Sequence, residues 1–186
     1  MSQLDIRIGT LVNRGQNSPA YIKEILPYGF ESFSLTFWKT LGDTNLKKLA
    51  REVNEVLAGS DAVISSLGVF GNPLMDDDEA KACREGWKKL IDAAPLFGCD
   101  VVCGFAGRVV DKPIDESMDR YAKVFKPLAK RAADKGVKIA FENCDMGGSW
   151  QKGDWNIAQY PASWELMFNA IDAENIGLEW EPCHQM

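Results

Sequence analysis

No apolar run in the 186 residues approaches the ~20 needed to cross a bilayer. The N-terminal MSQLDIRIGTLVN has no charged segment followed by an apolar core, so a secretory signal is not expected there. Cysteine is sparse and odd in number: Cys83, Cys99, Cys103, Cys144 and Cys183 form no CxxC pair and no finger-like spacing. They read as reduced, mostly buried thiols, and the chain as a soluble, cytoplasmic protein with no membrane partner. Cationic residues are also in the minority. With 21 Lys and Arg against 27 Asp and Glu, the formal charge is -6. Binding through many phosphate contacts needs clustered cations, so nucleic acid is not an expected partner. Histidine occurs once, at His184. No GxGxxG follows the first apolar run, and GTLVNRG is a poor substitute, which argues against a dinucleotide-binding fold.

What is present is a regular alternation. A hydrophobic content of 46% is enough to cover a core, and the length fits one domain over residues 1–186. Apolar runs rich in β-branched and aromatic residues predict strands at 6–12, 33–38, 62–70, 101–105, 137–141 and 176–180. Helical apolar spacing fills most of the gaps, as in Leu46, Leu49, Val53, Val56 and Leu57, or Met118, Tyr121, Ala122, Phe125 and Leu128. Gly59, Gly98 and Gly136 fall where helices should end, and Pro113 suits the first turn of a helix. Asp43 or Thr44 is the expected cap of the second helix, and the run 76–79 a solvated helix start.

Alternating βα units imply an α/β fold with a parallel sheet. Polar residues recur at the expected strand C-terminal ends: Asn13, Lys39 beside Trp38, Asn72, Arg108, Glu142 with Asn143, and Glu181 with His184. A barrel assembles its site at that end, so a (β/α)₈ TIM barrel with about six βα strands present is the expected architecture.

Two segments carry chemistry. VKIAFENC, 137–144, ends a strand in Glu142, which by itself reads first as an exposed and idle carboxylate. GLEWEPCHQM, 177–186, ends the next strand with Glu181 and His184. Neighbouring parallel strands lie ~4.8 Å apart, so inward groups at matching heights can share one divalent cation. Carboxylate and imidazole suit Mn, Mg, Co or Zn.

FEN after one strand and GLxxEPxH after the next resemble the xylose isomerase-like TIM barrel superfamily, of the sugar phosphate isomerase/epimerase type. The resemblance runs from DIRIGTLV through GNPL, 71–74, and GFAGR, 104–108. It implies a metal-dependent isomerase or epimerase of a sugar or sugar phosphate. Glu142 is then metal ligand and one half of an acid/base pair, Glu181 a second ligand, and His184 a substrate contact. Many relatives carry Asp in a DPxH context where this chain has Glu181.

Relatives continue through a seventh strand with a metal-binding histidine and an eighth with a second catalytic glutamate. This chain is expected to stop after the sixth strand, as an incomplete barrel with weak or absent metal binding of its own. Its unpaired edges then predict a homo-oligomer, most simply a two-fold dimer. Two other readings stand beside the isomerase: an inactive truncated barrel serving as an assembly fragment, and an endonuclease IV-like nuclease. One histidine and an acidic chain argue against the nuclease.

Several roles stay open at this level. Trp38 and Trp155 form either a stacking wall for a sugar or core packing. Arg108 either grips a substrate phosphate or carboxylate, or makes a surface ion pair. The loop 144–156 is a lid or an irregular connection, and Cys103, Cys144 and Cys183 are expected to serve packing.

Overall fold

The computed structural model describes residues 6–185, so the outermost parts of the expected domain 1–186 lie outside the described residues. Six parallel strands form one sheet in sequence order: β1 Gly9–Val12, β2 Ser32–Trp38, β3 Val63–Phe70, β4 Val101–Gly104, β5 Lys138–Glu142 and β6 Ile176–Glu179. Helices fill the crossovers: α1 Ser18–Ile25, α2 Leu46–Leu57, α3 Asp78–Ala93, α4 Met118–Ala133 and α5 Pro161–Ile171. The architecture is the expected α/β arc of a barrel, and each expected strand is present, most of them shortened at one end. No helix among the described residues is long and apolar enough to cross a membrane.

Local chemistry sets the helix starts. Asp77 caps α3 by accepting from Ala80 N at 2.8 Å, with Asp78 and Glu79 in its first turn, as the acidic run predicted. The cap of α2 is Asn45, accepting from Lys48 N at 3.0 Å, rather than Asp43 or Thr44. Pro113 stands ahead of a 3₁₀ turn, Asp115–Ser117, and α4 begins only at Met118. Three residues of 3₁₀ helix there displace the start that proline was expected to set.

The two faces of the sheet divide the work. Leu35, Phe37, Leu67, Val69, Val102, Ile139 and Phe141 are buried beneath the helices in the main core. There Trp87 of α3, Tyr121 and Phe125 of α4, and Phe141 of β5 meet with ring centroids 4.9 to 6.2 Å apart. A fully buried side chain of the Phe class contributes about 1.5–3 kcal/mol, and each well-placed ring pair about 0.5–1.5 kcal/mol more. This layer is where the fold gets its stability.

The inner face is built differently. One row in register across five strands, Thr36, Gly68, Cys103, Ala140 and Gly177, contains only small side chains. Nearer the C-terminal ends, Trp38 is paired with Phe70, and Glu142 with Glu179. The small row lowers the floor, and the next row places aromatic rings on one side of it and carboxylates on the other.

Candidate active site

Glu142 ends β5, and its register partner Glu179 ends β6. Asn143, fully buried, fastens these ends together: its Nδ2 donates to the Glu181 carbonyl at 2.9 Å, and its Oδ1 accepts from Glu181 N at 2.7 Å. The chain then turns through the short 3₁₀ segment Pro182–Gln185 and brings His184 back over β5. His184 Nε2 lies 3.0 Å from Glu181 Oε2 and 3.4 Å from Glu142 Oε1. The structure thus brings together Glu142, Glu181 and His184, the three residues singled out in FEN and GLxxEPxH.

Three carboxylates in one recess oppose one another's ionisation. Burial pushes the Glu142 carboxyl from its ordinary value of 4.5 to about 8, with the charges of Glu179 and then Glu181 adding to it. Burial also raises Glu179, although a hydrogen bond from the Cys103 thiol opposes the shift. Glu179 Oε2 is shut off from solvent, with no hydrogen-bond partner among the described residues. A buried carboxylate oxygen without a partner, in a recess shared with Glu142 and Glu181, is the environment that a divalent cation neutralises, so this donor set fits one.

A pH dependence follows. In the unfolded chain Glu142 ionises near 4.5, whereas in the fold it holds its proton to about 8. The native state therefore binds more protons across that window, and stability falls as pH rises through it. Melting curves without divalent ions should show a lower Tm at pH 8 than at pH 5, and added cation should recover the loss at pH 8.

Trp38 is half exposed, with its ring 5.4 Å from Trp155 and edge-on to Phe105 at 6.3 Å. Behind them Phe70, Cys103 and Phe105 form a second small core, against which Cys144, Met146 and Trp155 rest. Lys39 Nζ sits 5.3 Å from the Trp155 ring centre and pairs with Glu79 at 3.0 Å. The aromatic wall stands across the inner face from the carboxylates.

Arg108 is placed otherwise than either open reading of it. Its side chain is fully buried, it makes no ion pair among the described residues, and all three of its guanidinium nitrogens are engaged with main-chain carbonyls. Nε and Nη2 donate to the Lys112 carbonyl at 3.0 and 2.7 Å, Nη1 to Ser149 O at 2.6 Å, and Nη2 to Trp150 O at 2.9 Å. The guanidinium is the anchor of the loop between β5 and α5. Gly153 permits the close approach, since a Cβ there would meet Arg108 Nη1 at 2.7 Å.

Buried amides complete the anchoring. Asn156 Nδ2 donates to the carbonyls of Glu142 and Cys144 at 2.8 and 2.9 Å, and Gln159 Nε2 to that of Asp145 at 3.2 Å. Asn72 of GNPL donates to the carbonyls of Arg108 and Asp154, both at 2.7 Å. The glycine of GFAGR, Gly107, adopts φ +81 against this asparagine, where a Cβ would meet Asn72 Oδ1 at 2.6 Å. The loop is pinned at both ends and in the middle.

Sequence reasoning passed over Glu179, Asn156 and Gln159. For Glu179 the signal was available: in a strand of period two it shares a face with Gly177, opposite Leu178. For the two amides, nothing in the spacing points to the carbonyls they reach.

The chain matches the family model for the xylose isomerase-like TIM barrel over residues 22–186, and it belongs to that family. Solved structures agree in fold. L-ribulose 3-epimerase superposes with a TM-score of 0.73 at 16% identity, covering 97% of this chain and 62% of that one. A D-psicose 3-epimerase with D-tagatose from Clostridium cellulolyticum H10 gives a TM-score of 0.73 at 13% identity, covering 97% and 65%. A xylose isomerase-like TIM barrel protein from Mycobacterium smegmatis, in complex with magnesium, gives 0.64 at 17% identity, covering 91% and 57%. The chain spans about three fifths of the length of these proteins. No curated protein sequence matches it significantly.

Proposed function

We propose that the chain carries the Glu142 half of a metal-dependent isomerase or epimerase site, acting on a sugar or sugar phosphate in the cytoplasm. The observation that carries the reading is the convergence of Glu142, Glu181 and His184, with Nε2 of the histidine 3.0 and 3.4 Å from the two carboxylates. Glu142, Glu181 and His184 are the residues that would hold the ion. When bound, a divalent cation polarises the substrate carbonyl and stabilises enediolate-like charge.

The chain's own residues do the rest. Glu142 takes the proton from the carbon next to the carbonyl and returns it. Asn143 and Asn156 hold the backbone on either side of that carboxylate. Trp38 and Trp155 offer a face on which the apolar side of a sugar ring stacks. The test is incubation in deuterated water with a panel of keto-sugars and their phosphates, with Mn, Co, Zn or Mg added. Deuterium should enter the substrate beside its carbonyl. Absence of exchange with every ion and substrate would remove the reading.

The same proposal includes self-association. Among the described residues β1 and β6 each have a single neighbour, and apolar side chains lie exposed beside both edges: Ile8 at 67%, Leu11 at 56% and Trp180 at 57%. Unpaired edges flanked by apolar surface favour pairing with a second copy. Light scattering at micromolar concentration should give a dimer mass, and a monomer would contradict it.

A further inference from the structure

Glu142, Cys144 and His184 present ligand atoms that all lie within 4.8 Å of one another, and Glu181, Cys183 and His184 form a second such group around the same imidazole. We infer that Cys144 is a sulfur ligand of the metal centre, and that the site is thereby built for a borderline ion such as Zn(II) or Co(II) rather than for Mg(II) or Mn(II). The inference rests on the metal-dependent reading of the site and adds a donor that the carboxylate and histidine pattern does not contain.

Geometry supports it first. Around a tetrahedral zinc, with bonds of about 2.0–2.3 Å, neighbouring donor atoms sit about 3.3–3.8 Å apart. The imidazole nitrogen is already 3.4 Å from Glu142 and 3.0 Å from Glu181, so these spacings approximate the edges of such a polyhedron. The Cys144 sulfur lies within 4.8 Å of the ligand atoms of both Glu142 and His184, so these three already surround one point.

Preorganisation supports it next. Cys144 is two residues beyond Glu142, and Asn156 holds the carbonyls of both at 2.8 and 2.9 Å. Its side chain rests against the small core of Phe70, Cys103 and Phe105. Cys183, by contrast, is exposed on the 3₁₀ turn and its thiol lies 3.6 Å from Glu181 Oε2. Cys144 is the better-held of the two sulfurs. Donor chemistry then sets the preference among ions, because thiolate selects zinc-like ions while carboxylate and carbonyl suit Mg and Mn. On binding, the thiol proton leaves to solvent and the sulfur lone pair forms the bond to the metal.

The experiment uses the full chain titrated with Co(II), Zn(II) and Mn(II), read by absorption and calorimetry. The cobalt complex should show the intense near-ultraviolet band of thiolate-to-cobalt charge transfer. Cys144→Ser should abolish that band and weaken zinc by at least the ~10- to 100-fold that loss of a mere supporting partner costs, with manganese affinity unchanged and the circular dichroism of the fold retained. Cys183→Ser should keep the band. Cobalt binding without the band, or a band that survives Cys144→Ser, would overturn the sulfur ligand while leaving the metal site standing. Because the incomplete barrel is expected to bind metal only weakly, the titrations run to excess ion, and no binding of any of the three even there would overturn both.

Discussion

Glu142→Gln is expected to cut solvent-deuterium exchange into a keto-sugar by about 10²–10⁴-fold, the range that a positioned general base contributes. The amide keeps the size of the side chain and removes the only function that takes the proton. Stability should move the opposite way. In the native fold the Glu142 charge is opposed by burial and by Glu179 and Glu181, so a neutral amide relieves that conflict once the pH passes about 8. The variant should therefore melt higher than the parent at pH 9, and within error of it at pH 4, where both side chains are uncharged. A slow variant that also melts lower at pH 9 would mean that Glu142 is held by contacts other than those described.

Arg108→Met should destabilise the chain by about 2 kcal/mol or more, because the part-buried carbonyls of Lys112 and Ser149 lose their donors, and a hydrogen bond to a charged group contributes about 1.5–3 kcal/mol. The Trp150 carbonyl keeps its bond from Ile114 N at 3.0 Å, so the loss falls at Lys112 and, in the loop over the site, at Ser149. Against a total of about 5–15 kcal/mol for a typical domain, this is a large fraction. Arg108→Lys should rescue little of it, since one ammonium cannot reproduce a planar fork that reaches three acceptors. Denaturant melts give the magnitude, and amide exchange should report early opening of residues 144–156. An Arg108→Met variant of parental stability would show that the loop is held by its amides alone.

The fold was legible because each of its elements is announced locally. Six apolar runs separated by helical spacing specify a parallel sheet, and small or polar residues at alternate positions of 33–38 and 62–70 accompany an inner face with room on it. The cap of α2 was misplaced by one or two residues because Asp43, Thr44 and Asn45 are all competent, and only the backbone conformation decides among them. Glu142, Glu181 and His184 were legible from strand-end position and resemblance together. Arg108 was not: a charged residue after a strand reads as a surface or substrate group, and its carbonyl partners lie 4, 41 and 42 residues away. Glu179 was masked by its neighbour, since attention to the EPxH segment passes over an inward carboxylate two residues earlier.

The Asn143 clamp bears on how such a site changes over time. Both of its hydrogen bonds go to main-chain atoms of Glu181, and neither depends on that residue's side chain. Position is thus secured separately from chemistry. A carboxylate one methylene shorter, such as the Asp of the DPxH pattern in relatives, can stand there without loosening the junction of β5 and β6. What varies is only the reach of the functional group into the recess. An enzyme designer can use the same separation: the residue at 181 is a socket whose occupant can be exchanged to retune ion or substrate, provided the asparagine beneath it is left in place.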